Sequence, residues 1–257
     1  MFHALIEELS QLDAVEAIAL GGSRASQQYD ETSDYDVYLY ITAPVDENVR
    51  RQILNKYCSI VEIGNQFWEL EDNCRLKNGI DMDILYRDLD GFTADVASVV
   101  EQFQARNGYT TCMWYNLLNC QILYDRDGRL AAARQRFDVP YPEQLQENIV
   151  FRNYKLLQSS MPAYRTQITK ALKRKDLVSV NHRVAGFLES YFDILFALNE
   201  LPHPGEKRLI QLCKERCRIL PAQFEQNLYS LFFDMYSAPD RVEGDIASII
   251  GQLQRIL

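Results

Sequence analysis

A chain of 257 residues has room for one large domain or two modest ones, and 47% hydrophobic with 25% charged residues is the composition of an ordinary soluble globule. A formal charge of −9 at pH 7 argues against a surface that coats nucleic acid, which needs clustered Lys and Arg. No uninterrupted apolar stretch reaches membrane-spanning length, and the opening MFHALIEELSQLD carries acids where a secretion signal carries basic residues. Cys58, Cys74, Cys112, Cys120, Cys213 and Cys217 form no CxxC pair, so they read as reduced thiols and the expected location is cytoplasmic.

In chain order, LIEELSQL is an amphipathic opening helix, and VEAIALGG (Val15 to Gly22) is an apolar run of strand length that ends in glycines. The residues after this run can open a short helix whose backbone N–H groups are free to meet a phosphate. Gly21 and Gly22 let a polyphosphate approach the main chain, Ser23 adds a hydroxyl donor, and Arg24 adds charge. DYDVYLYIT, β-branched and aromatic, then favours a strand, on which Asp34 and Asp36 point the same way. Two hard oxygen ligands side by side suit Mg²⁺.

DENVRRQILNKYC reads as a helical connector, and FWELEDNCRLKNG as a strand and turn, with Asn78-Gly79 as a hairpin signal. IDMDILYRD (Ile80 to Asp88) is a further strand in which Asp81 and Asp83 share a face; beside the first acidic strand it makes three carboxylates converge. A helix comes next over DLDGFTADVASVVEQFQ, capped by Asp88 or Asp90, and Arg87 serves either a phosphate or an acidic neighbour.

Pro140 and Pro142 mark a change to helical period, which places a boundary between domains 1–140 and 141–257. Val180, Val184, Leu188, Tyr191, Leu195 and Leu198 lay an apolar stripe along one helix from about Asp176 to Asn199. The segments near 143–174, 205–218, 222–235 and 240–256 complete a helical bundle. Residues 1–145 hold 12 basic and 24 acidic residues, a net of −12, and 146–257 hold 15 and 12, a net of +3. His182 and the aromatic group Trp114, Tyr115 and Tyr124 read as packing or surface residues, and the run Lys170, Lys173, Arg174, Lys175 as a solvated helix end.

Three carboxylates beside a phosphate-cradling turn supply what nucleotidyl transfer needs: two metal ions, roughly 3.5–4 Å apart in such sites, and a group to take the proton of the attacking hydroxyl. The turn, the Asp-x-Asp strand and the later hydrophobic-Asp-hydrophobic strand together resemble the DNA polymerase beta-like nucleotidyltransferase superfamily. MDILYRDLDGF, TTCMWYNLLNCQILYDRDG and FALNELPHPGEKRL resemble a bacterial group of nucleotidyltransferase-like proteins of unassigned substrate, related to the aminoglycoside and lincosamide nucleotidyltransferases.

That resemblance implies an α+β fold, a mixed-sheet catalytic domain followed by a helical C-terminal domain. It matches Gly22 and Ser23 to the phosphate turn, Asp34 and Asp36 to metal ligands, and Asp83 to the third carboxylate, with Asp81 as its rival. In the resembling enzymes the helical domain closes over the nucleotide, which draws attention to Lys207 as a further contact. The expected reaction is Mg²⁺-dependent transfer of a nucleoside monophosphate, AMP foremost, from a nucleoside triphosphate to a hydroxyl of a small-molecule acceptor such as an antibiotic, with two ions. The alternatives are a protein AMP-transferase of toxin–antitoxin type and a non-catalytic nucleotide-binding regulator.

Overall fold

The computed structural model describes residues 1–25, 33–67 and 69–257. They form two compact units, one of residues 1–97 and 116–139, the other of residues 98–115 and 140–257. The chain passes between the units at 97–98, 115–116 and 139–140. Residues 98–115 group with the helical unit because its buried polar groups hold them. Gly108 N donates to Asn153 Oδ1 at 3.1 Å, Thr110 N to Asp193 Oδ1 at 3.0 Å, and Thr110 Oγ1 to Asp193 Oδ2 at 2.6 Å.

The first unit runs α1 (Phe2–Ser10), β1 (Val15–Leu20), α2 (Gly22–Ala25), β2 (Tyr35–Ile41), α3 (Glu47–Tyr57), β3 (Cys58–Asn65), β4 (Glu71–Leu76) and β5 (Asp81–Arg87). It continues through α4 (Leu89–Val100), α5 (Cys112–Asn119), β6 (Gln121–Asp125) and α6 (Arg129–Phe137), α4 and α5 each straddling the two units. The strands form one mixed sheet in the order β3-β4-β5-β2-β1-β6. Among the described residues only β2 and β5 pair in parallel; the other neighbours are antiparallel.

Leu5, Ile6 and Leu9 of α1 and Ile53 and Leu54 of α3 share a buried core with Val37, Leu39, Met82 and Ile84. Because side chains alternate along a strand, Asp36, Tyr38, Asp83 and Leu85 face the other way. Asp46 starts α3, its carboxylate accepting from Asn48 N and Val49 N. The Asn78-Gly79 turn closes the β4–β5 hairpin: Gly79 has φ +88° and donates to Leu76 O at 2.8 Å. Asp88 caps α4 by accepting from Gly91 N at 2.5 Å, while Asp90 pairs with Arg129 instead.

The strands β3 and β6 carried no sequence expectation. β3 is a half-exposed edge strand that starts where α3 ends, with no turn residue between Tyr57 and Cys58 to mark the change. Buried Asp72 ties it in, accepting from Arg50 Nη1, from Gly64 N at 2.8 Å and from Tyr86 OH at 2.8 Å, so that α3, β3 and β5 are all anchored to β4. The strand expected over 67–76 begins at Glu71; Trp68 lies outside the described residues.

The second unit contains α7 (Glu143–Tyr154), α8 (Tyr164–Lys173), α9 (Leu177–Leu198), α10 (Leu209–Arg216), α11 (Phe224–Ser237) and α12 (Val242–Gln254). α9 begins at the capping carboxylate of Asp176 and runs through the core on Val180, Val184, Phe187, Tyr191 and Leu195, with Leu188 and Leu198 half-buried beside it. Trp114 is buried as expected, and His182 is exposed. His203 is fully buried, 4.9 Å from the rings of both Tyr109 and Phe196, and its Nδ1 accepts from Gly205 N at 3.1 Å.

Burial pushes the His203 pKa down to about 3. A depressed histidine pKa contributes stability that is complete above the unfolded value near 6.5 and is lost as pH falls toward the folded one. The helical unit should therefore lose about 2 kcal/mol from this group between pH 8 and pH 5. Urea unfolding of wild type and His203→Gln across that range tests this: the variant should show a correspondingly flatter dependence.

Candidate active site

The parallel register of β2 and β5 sets Asp36 directly opposite Asp83. Asp34 lies one residue before β2 and, by strand alternation, on the same face. One oxygen from each of Asp34, Asp36 and Asp83 lies within 4.8 Å of the others, and all three side chains are half-buried. Three hard oxygen donors converging from two adjacent strands could hold a small divalent cation. The fit rests on that donor chemistry and on the half-buried position of the three side chains.

Gly21 to Arg24 lie against this group. Gly21 N donates to Asp36 O at 2.8 Å, which continues the sheet pairing to the end of β1. Gly22 has φ +62°, and a Cβ there would stand 1.8 Å from Asp36 Oδ2. A Cβ on Gly21 would stand 2.3 Å from the Tyr38 ring. Both glycines are thus required by the close approach of main chain to carboxylate face, the same property that lets a phosphate reach a backbone. Ser23 is half-buried beside them; residues 26–32 lie outside the described residues.

Arg24, on α2, follows the two glycines. Its Nε donates to the carbonyls of Ser33 and Asp34 at 2.9 and 3.0 Å, and its guanidinium lies 4.1 Å over the Tyr35 ring. Tyr35 in turn stacks on Phe2 at 4.1 Å. The guanidinium therefore clamps the backbone that carries Asp34.

Asp81 shares the face of Asp83 but stands apart from the group of three. It is exposed and held in a two-pronged pair by Arg75, at 2.7 and 3.1 Å. That ion pair holds the Asp81 carboxyl below the usual carboxylate range. Arg87, for which two roles were open, makes a two-pronged pair with Glu69 at 2.8 and 2.7 Å and stacks 4.2 Å over Tyr38. Lys207 is exposed in the turn before α10, in the helical unit.

One residue at the site escaped the sequence reading. Asn73 of β4 sits opposite Asp83 and donates to its Oδ1 at 2.8 Å, while its own Oδ1 accepts from Asn65 Nδ2 at 2.5 Å. Asn65 Nδ2 also reaches Glu62 Oε2 at 3.2 Å, so a chain of side chains runs from the sheet edge to the third carboxylate. Only the strand register reveals it, since nothing in EDNCRL marks Asn73.

Two predictions separate these supports from the fold. Asn73→Ala frees one side of Asp83 and should weaken Mn²⁺ binding, measured by titration, about 10-fold; an unchanged affinity would remove Asn73 from the site. Gly22→Ala forces a left-handed backbone and displaces Asp36, so the melting curve should show a cost of about 1–3 kcal/mol together with loss of the Mn²⁺ response.

Residues 3–105 match the family described as a nucleotidyltransferase domain, and residues 111–208 match a domain of unknown function (DUF4037). No protein of curated function matches the chain. Among solved structures, a nucleotidyltransferase-like protein from Exiguobacterium sibiricum 255-15 aligns at 10% identity and a TM-score of 0.44, covering 98% of this chain and 72% of that one. An aminoglycoside 6-adenyltransferase from Bacillus subtilis aligns at 8% identity and a TM-score of 0.31, covering 98% and 90%. The CCA-adding enzyme of Thermotoga maritima, solved with tRNA, aligns at 10% identity and a TM-score of 0.30, covering 99% and 80%.

Proposed function

We propose that this chain, whose residues 3–105 match the nucleotidyltransferase domain family, is a nucleotidyltransferase that transfers a nucleoside monophosphate, AMP foremost, from a nucleoside triphosphate to a hydroxyl of a small molecule. The observation that carries the reading is the convergence of Asp34, Asp36 and Asp83 beside the Gly21–Gly22–Ser23 turn.

In the proposed reaction the acceptor oxygen forms a bond to the α-phosphorus, the bond to the bridging oxygen breaks, and pyrophosphate leaves. Mg²⁺, two ions when fully loaded, would neutralise the triphosphate and acidify the attacking hydroxyl. Asp34, Asp36 and Asp83 would hold the metal, and Asp83 would also accept the proton of the hydroxyl. Gly22 and Ser23 receive the phosphates, and Arg24 keeps Asp34 in place through its backbone. Positioning and charge neutralisation then carry the chemistry, with no covalent intermediate.

The net charge of −12 over residues 1–145 supports an acceptor that is itself cationic, as an aminoglycoside is, because an acidic surface draws positive molecules toward it.

Thermal unfolding of wild type and Asp36→Asn with each nucleoside triphosphate, with and without Mg²⁺, tests the reading. A ligand at 100 times its Kd adds about 2.7 kcal/mol, which moves the melting midpoint by roughly 5 °C. Wild type should show this shift only with Mg²⁺. Asp36→Asn should lose it while melting at or above the wild-type temperature without ligand, because one of three repelling charges is gone. Absence of a Mg²⁺-dependent shift with every triphosphate would overturn the proposal.

A further inference from the structure

Helix α11 is apolar on two sides. Phe224, Leu228, Leu231 and Met235 recur at helical spacing and are buried in the core of the helical unit. That set satisfies the helix's need to bury a face, and a surface helix of a monomer normally presents polar residues on the other. Here the outward side instead carries Tyr229, Phe232, Phe233 and Tyr236, at positions i, i+3, i+4 and i+7, exposed by 58, 39, 69 and 72%. Tyr236 OH donates to Asn181 Oδ1 of α9 at 3.1 Å, which brings the first turn of α9 alongside, with Val178 exposed by 72%.

We infer that this face is a self-association surface, on which two copies of the chain pair α11 against α11 about a two-fold axis. Charge selects this occupant. From Gln226 to Ser237 the only charged residue is Asp234, which is buried, and at one end of the face Tyr229 adjoins Arg208, Lys214, Glu215 and Glu225, two charges of each sign with Lys214 paired to Glu225, so the face is balanced in charge. A nucleic acid or an anionic lipid surface would call for cations interleaved with the aromatic rings. A neutral face meets its own copy without setting like charges together, as an isologous interface requires.

Size agrees. With Val178 and Leu177, the exposed part of the four rings amounts to about 700 Å² per copy. Two copies would bury about 1,400 Å², inside the range of specific stable interfaces, with the Tyr and Phe enrichment that interface centres show. The inference is independent of the chemistry proposed above.

Sedimentation velocity of the full chain over about 1–100 µM provides the test, and the expected result is a dimer with a Kd of roughly 1 µM or tighter. Phe233→Glu and Tyr229→Glu, each placing a charge in the pairing face, should sediment as monomers over the same range with an unchanged circular dichroism melt. Phe151→Glu, a charge at a 64% exposed ring on α7, should leave the dimer intact. A wild type that stays monomeric would overturn the inference, including one that instead floats with phosphatidylserine vesicles. So would a dimer that survives both α11 variants, or one that only Phe151→Glu disrupts.

Discussion

Three carboxylates whose oxygens lie within 4.8 Å repel one another, and a chain that keeps them there must spend rigidity on the purpose. The parallel pairing of β2 with β5 supplies most of it. In that register Asp36 and Asp83 are fixed as direct neighbours by the main chain, and neither can retreat without a strand slip that would turn Val37, Leu39, Met82 and Ile84 out of the core. The apolar face under α1 and α3 thus holds the charged face in register.

The remaining supports act at the ends of that pairing. Arg24 grips the carbonyls before β2, Tyr35 stacks on Phe2, and Asn73 meets Asp83 from the antiparallel side. Gly21 and Gly22 are shaped by the same face, because a side chain at either would enter the space of Tyr38 or Asp36. The other cations near the site are committed to partners: Arg75 to Asp81 and Arg87 to Glu69.

The helical unit is organised by a different constraint. Its non-helical segment 101–111 buries Gly108, Thr110 and Thr111, whose backbone neighbourhood needs hydrogen-bond partners, and Asn153 and Asp193 supply them from α7 and α9. Burial raises the Asp193 pKa to about 6, while His203 is held neutral between two rings. These polar groups fix a loop and a turn, and the aromatic outer face of α11 stands outside that logic altogether.

Much of the site was legible in the sequence because period-2 alternation and glycine-rich turns are local properties. Asp34 and Asp36 on one face, Asp83 on the other acidic strand, the hairpin at Gly79 and the cap at Asp88 are all set by neighbours within a few residues. The choice between Asp81 and Asp83 was not, since both share a face, and it depends on which strand lies alongside: Arg75 on β4 takes Asp81, while β2 brings Asp36 and Asp34 to Asp83. Arg24, Asn73 and the grouping of residues 98–115 were hidden for the same reason, as each is defined by partners distant in the chain or on another strand. The sequence by itself determined which carboxylates and glycines were available and how each strand would orient them; only the tertiary structure decided which of them meet, because register and strand order are set by packing across the sheet.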